Sequence, residues 1–148
     1  MKAFLRFLLL IAPFLYMMLI FILSSLPADA IVNTPYSWDS AFKESLHLIE
    51  FGILYGLWVL FFLVRGTFTA KTSTLAAILS IAYGFSDELH QYFVPYRSAT
   101  VIDLVKDTIG VIVLFYIVKI SYFGEKLPRF KKLLLWVERL NSKKAEGN

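Results

Sequence analysis

The side chains best able to move a proton or hold a charged ligand fall in three stretches. These are His47 and Glu50; Asp87, Glu88, His90 and Gln91, with Arg97 close behind; and Asp103, Lys106 and Asp107. His47, Glu50, Asp87, Glu88 and His90 are the candidates for acid–base work. An imidazole titrates near neutrality, and a carboxylate can serve as acid, base or metal ligand. Glu88, Gln91, Arg97, Asp103, Lys106 and Asp107 are the candidates for binding. Arg97 and Lys106 suit a phosphate, and the carboxylates would orient these cations or hold a divalent cation. Two histidines among carboxylates could also hold a metal, although the spacing matches no recognised metal motif. The chain has no cysteine, which removes disulfides and thiolate ligands.

Each candidate also has a plainer reading. Asp103 follows Thr100 at the spacing of a capping box. Lys106 can snorkel toward headgroups. The histidines can be hydrogen-bonded members of a helix bundle, and the whole set can be a polar clasp between helices. Asp87 and Glu88 are harder to explain in this way. Two adjacent carboxylates near a helix end call for a raised pKa, a cation or an arginine, and Arg97, in the turn Val94-Pro95-Tyr96-Arg97, is placed to be that arginine.

The elements that must position these residues are apolar. Of the 148 residues, 58% are hydrophobic and 17% aromatic, against roughly 45–50% apolar in a soluble domain. The net charge is +4, but the basic residues flank apolar runs. That points to anionic lipid rather than nucleic acid as the partner. The run Phe4–Leu26 carries only Arg6 as a charge and is long enough to cross the bilayer. A secretory signal is its alternative, because Ala28-Asp29-Ala30 mimics a cleavage site. The apolar stretch, however, exceeds the ~7–15 residues of a signal core. Pro13 is expected to kink this helix. Pro27–Asp39 reads as a loop, with Tyr36 and Trp38 at the interface.

The later runs Phe51–Val64, Leu75–Phe85 and Ile109–Ile120 are each too short to span alone, covering roughly 16–21 Å of a ~30 Å core. Basic residues close one end of each: Arg65, Lys71 and Lys119. The missing length must come from the other end, through the candidate residues themselves. The reading is an all-α membrane bundle in 1–124 with four transmembrane helices, at about 4–26, 45–64, 72–93 and 101–121. Lys43, His47 and Glu50 share one helical face. Asp87, His90 and Gln91 share another, with Glu88 at its edge. Asp103, Lys106, Asp107 and Gly110 share a third, where Gly110 would let a helix come close.

Lys2, Arg6, Arg65, Lys71 and the basic tail lie on one side of this arrangement, and Lys43, Arg97 and Lys106 on the other. The positive-inside rule therefore puts both termini in the cytoplasm and the polar helix ends outside. Residues 125–148 are expected to form a cytoplasmic amphipathic helix and basic tail. Phe130, Leu133, Leu134, Val137 and Leu140 would face the inner leaflet, and Trp136 would sit near the boundary.

The stretch Ser86-Asp87-Glu88-Leu89-His90-Gln91-Tyr92-Phe93-Val94-Pro95-Tyr96-Arg97-Ser98, followed by Asp103, Asp107 and Gly110, resembles the signature of the VanZ-like family of bacterial membrane proteins. His47-x-x-Glu50-Phe51 is similar to the family's earlier motif, and the likeness covers about residues 40–120. The sequence departs from the family pattern in places. Glu44 stands where lysine is usual, with Lys43 one place earlier; Phe51 stands for tyrosine and Tyr96 for glycine. The resemblance implies a link to resistance against teicoplanin, a lipoglycopeptide that acts on outer-face wall precursors, and implies no settled biochemical activity. The expected partners are membrane lipids and a lipid-linked cell-wall precursor. The functions expected are binding of such an anionic headgroup at the outer face, an integral-membrane enzyme acting on it, or a scaffold whose polar cluster is structural.

Overall fold

The computed structural model describes residues 1–26, 39–95, 97 and 100–141, with the backbone alone for 39–47. The described residues are helical apart from short connections. Helix α1 is Lys2–Ser24, α2 is Asp39–Arg65, α3 is Ala70–Phe93, α4 is Val101–Val118 and α5 is Pro128–Glu138. A π-helical turn, Lys119–Phe123, extends α4. Helix α1, at 23 residues, rises about 34 Å at 1.5 Å per residue. Pro13 sits buried within it and the helix runs on through it.

Helix α2 begins at Asp39, earlier than the start near Ser45 that the apolar pattern predicts. Asp39 and Ser40 suit a first turn, and Ala41, Lys43 and Glu44 are good helix formers, so the helix extends into the polar segment. Thr69 starts α3 with a reciprocal cap. Its hydroxyl accepts from Thr72 N–H at 3.2 Å, and its own N–H donates to the Thr72 hydroxyl at 2.8 Å.

Helix α2 is the hub, packing against α1, α3, α4 and α5. Its Phe51, Leu54, Tyr55, Val59, Leu63 and Val64 are almost wholly buried. Its closest neighbour is α4, because two glycine surfaces meet there. A Cβ on Gly52 would come 3.3 Å from the Gly110 carbonyl oxygen. One on Gly110 would overlap the Leu48 carbonyl and lie 2.9 Å from its carbon. Small residues at an interface let backbones approach in this way, as the sequence predicts for Gly110. On α3 the inward stripe is also small and polar: Ser73, Ala76, Ser80 and Gly84 are buried. The Tyr55 and Ser73 hydroxyls are hydrogen-bonded at 2.8 Å.

The outward faces are apolar. Phe7, Phe14 and Met18 of α1, Ile78, Phe85 and Leu89 of α3, and Val105, Ile109 and Val113 of α4 are all exposed. Large apolar side chains over the outside, with serines and carboxylates admitted to the inside, are unlike a water-soluble bundle. Lys2–Ser24 and Leu48–Arg65 are each long and apolar enough to cross a membrane.

Helix α5 corrects one expectation. Its apolar face does not lie free for a leaflet. Leu134 and Val137 are buried with Phe130 partly covered, packed on α2 and the π turn. Leu133 and Trp136 stay exposed. The helix is fastened at both ends. Lys131 Nζ donates to Gly124 O at 2.9 Å, the Tyr122 hydroxyl donates to Glu138 Oε2 at 2.8 Å, and Asn141 lies against Gly66. Gly66 has φ +68°, a left-handed conformation that favours glycine.

Candidate functional site

The C-terminal ends of α1 and α3 and the N-terminal part of α4 meet at one end of the bundle. Between them lie Asp87, Glu88, Gln91 and Asp107, 6%, 7%, 3% and 1% exposed. Burial this complete for three carboxylate side chains needs polar partners, since an uncompensated charge is costly to bury. For Asp87 the partner stands one turn along its own helix, and for Glu88 it is the start of α4.

Asp87 and Gln91 stand one turn apart on α3, and Gln91 Nε2 donates to Asp87 Oδ2 at 2.7 Å. The other end of the amide faces outward, where Gln91 Oε1 accepts from Arg97 Nη1 at 3.3 Å. Partners of opposite type thus fix the amide's orientation. Arg97 does not pair directly with Asp87; the glutamine stands between them. The rest of its guanidinium is bound to α1. Nη2 donates to Leu23 O at 2.7 Å, and Nε donates to Leu26 O at 2.9 Å. The carbonyls at a helix C-terminus are short of donors and carry its partial negative charge, so a guanidinium fork suits them. The arginine that the sequence places opposite the carboxylates therefore also closes the end of α1.

Glu88 performs a second junction. Thr100 caps α4, its hydroxyl accepting from Asp103 N–H at 3.1 Å and donating to Asp103 Oδ2 at 2.6 Å. In a complete capping box the Asp103 carboxylate would also take the Thr100 N–H. Here that N–H donates to Glu88 Oε2 at 3.1 Å. A carboxylate from α3 thus occupies the positive end of α4. Asp103 is left to receive Lys106 Nζ at 3.2 Å, a half-exposed pair at the rim.

Asp107 sits deeper. A Cβ on Gly84 would press on the Phe51 ring at 3.3 Å and touch Asp107 Cβ at 3.5 Å. Glycine there is what lets α2 and α4 close over α3. Phe51, fully buried, forms the floor.

His90 parts from the stripe that the sequence assigns it. It projects from the other side of Asp87, toward α1, where its ring lies 4.6 Å from that of Phe21. Its Nε2 is 2.9 Å from Ser25 Oγ. That hydroxyl donates its own proton to Phe21 O at 2.6 Å, so the histidine is the donor. The contact ties His90 to the end of α1 through Nε2, and in that tautomer any acceptor role falls to Nδ1. Glu88, which the spacing sets at the edge of the stripe, is turned inward instead. Glu50 is half-buried on α2, while the side chains of Lys43 and His47 lie outside the described residues. Among the described residues no three His, Cys, Asp or Glu side chains gather so as to hold a metal ion.

Two participants were missed by sequence reasoning. Tyr83 donates to Met17 O at 2.6 Å, tying α3 to the middle of α1. Its position one turn before Asp87 on the same stripe was the available signal. The α1 carbonyls that receive Arg97 had none, because main-chain acceptors carry no residue type.

No curated protein and no solved structure matches the chain. The family model VanZ/LLP1 matches residues 7–122, a range that takes in most of α1, all of α2 to α4 and every side chain of the site. The polar helix ends inside an apolar exterior and that match lead to one statement: the chain is a helical membrane protein belonging to the VanZ/LLP1 family.

Proposed function

We propose that this is a four-span protein of the cell membrane with both termini cytoplasmic, and that its polar end, turned outward, binds the phosphate of an anionic envelope lipid or lipid-linked wall precursor. The observation that carries this reading is the chain Arg97–Gln91–Asp87, which runs from the half-buried rim to a buried carboxylate. The carboxylate and amide hold the guanidinium in a set direction. Its other acceptors are two main-chain carbonyls, which a doubly hydrogen-bonding phosphate can displace because charge-assisted bonds are the stronger. Lys106, held at the same rim by Asp103, supplies a second cation. The buried carboxylates then face the hydroxyl or ammonium donors of the headgroup. Helices α1 to α3 have 23, 27 and 24 residues, and α4 with its π turn reaches from 101 to 123. These lengths suit spans, and the exposed apolar faces suit lipid.

Cysteines introduced into this cysteine-free chain test the topology. A cysteine at Ala30 is expected to react with an impermeant maleimide on intact cells, and one at Lys143 is not. The reverse pattern would sink the outward site.

Binding is tested on purified protein with a polyprenyl phosphate as probe, read as a rise in unfolding temperature, since a ligand of the folded state stabilises it. Asp87→Asn and Arg97→Lys are expected to weaken the response about tenfold, roughly one charge-assisted hydrogen bond. Lys71→Gln, at the other end of the bundle, leaves it unchanged. An equal response in every variant would overturn the reading. In cells, Asp87→Asn, Glu88→Gln, His90→Ala and Arg97→Lys at normal membrane levels are expected to raise teicoplanin sensitivity. Loss of folded protein in all of them would make the cluster a structural clasp.

A further inference from the structure

Turning the apolar face of α5 onto the bundle leaves a different face outside. Trp136 is 53% exposed. Arg129, Lys132 and Arg139 stand seven and four residues before it and three after, which on a helix is one stripe. All three are exposed, and Leu133, beside the indole, is 53% exposed. The remaining charges of α5 are turned away: Glu138 receives the Tyr122 hydroxyl, and Lys131 is bound to Gly124 O. The outer stripe therefore carries cations and an indole with no carboxylate among them.

Its place in the fold narrows what it meets. Lys131 is fixed just beyond the π turn of α4, and Asn141 lies against Gly66 just beyond α2. Helix α5 thus runs across the ends of α2 and α4, next to exposed Phe123 and Leu127. That is where the apolar exterior gives way to polar surface, the level at which indoles settle and where basic side chains meet lipid phosphates.

We infer that Arg129, Lys132, Trp136 and Arg139 form a binding stripe for anionic phospholipid in the leaflet that adjoins α5. The indole lies among the glycerol esters, and the three cations reach the phosphates. This contact is separate from the headgroup site at the opposite end of the bundle and does not depend on it. It also reverses the helix face assigned from sequence, since the lipid meets the cationic stripe while the protein takes Leu134 and Val137.

The full chain carrying Leu133→Cys, labelled with a polarity-sensitive fluorophore, is reconstituted in nanodiscs of phosphatidylcholine with rising fractions of phosphatidylglycerol. The label is expected to shift to the blue as the anionic lipid increases, and about 0.5 M NaCl is expected to reverse the shift. Adding Arg129→Gln or Arg139→Gln should move the midpoint to about fivefold more phosphatidylglycerol, the worth of one cation near such a surface. Lys2→Gln, outside the stripe, should not move it. An emission indifferent to phosphatidylglycerol overturns the inference, as does a curve that neither glutamine variant displaces. Failure of the polyprenyl phosphate experiment would leave this one standing, because the two read opposite ends of the molecule.

Discussion

Gly110→Ala is expected to yield little folded protein, whereas Gly56→Ala, also at the α2–α4 contact, should fold nearly as well as the parent. The difference lies in what each new methyl meets. At Gly110 it would enter the Leu48 carbonyl group of α2, and a helix backbone can move only as a whole. At Gly56 it meets Leu114 Cδ2 at 3.3 Å, the end of a side chain that can turn aside. Overpacking a core with side-chain atoms costs typically 1–3 kcal/mol; prising two helix backbones apart exceeds that and approaches the total stability of a small domain. Gly52→Ala, whose methyl would come 3.3 Å from the Gly110 carbonyl oxygen, should fall between them. The measurement is monodisperse yield by size exclusion in mild detergent, with unfolding temperature for whatever survives. The ranking Gly110, Gly52, Gly56 is the expected result, and equal behaviour would mean that α2 and α4 do not cross at these residues.

Arg97→Ala is expected to lower stability by about 2–3 kcal/mol, on the scale of hydrogen bonds made by charged groups with allowance for partial exposure. The loss should be local to α1. Leu23 O, Leu26 O and Gln91 Oε1 all lose a donor. The end of α1 is then held by the Ser25–His90 contact, the Phe21–His90 ring contact and, further along, the Tyr83 hydroxyl. A Leu26→Cys probe, which keeps the main-chain carbonyl, should accordingly react faster with maleimide in the Arg97→Ala background than in the parent. Arg97→Lys should recover only part of either effect, because an ammonium cannot present the flat, divergent fork that serves three acceptors. An unaltered Leu26→Cys rate in Arg97→Ala would show that the arginine does not hold α1. The same contact links the architecture to the proposed chemistry. A phosphate that draws Arg97 toward itself does so at the expense of the α1 carbonyls, so headgroup binding and the seating of α1 compete for one guanidinium.

Much of this molecule is written in periodicity and length. The helical pattern of the short apolar runs continues through Asp87, Glu88, Asp103 and Asp107, and α3 and α4 do run through them, so those side chains gather at one end of the bundle. Gly110 is legible for the same reason: a glycine among polar residues on an inward face announces a close approach. The capping role of Thr100 follows from local spacing, since its partner Asp103 lies within one turn. Helical spacing, however, locates a side chain only to within a face about a third of the helix wide. Rotation within that face is set by which neighbour packs where. That is why Glu88 turns in to complete the cap of α4 while His90 turns out to α1. It is also why Gln91 stands between Arg97 and Asp87, and why α5 gives its leucine and valine to the bundle and its tryptophan and arginines to the outside. Partners that are main-chain atoms, above all the α1 carbonyls that receive Arg97, have no signature in a list of residue types. They come into being only when one helix end is brought against another.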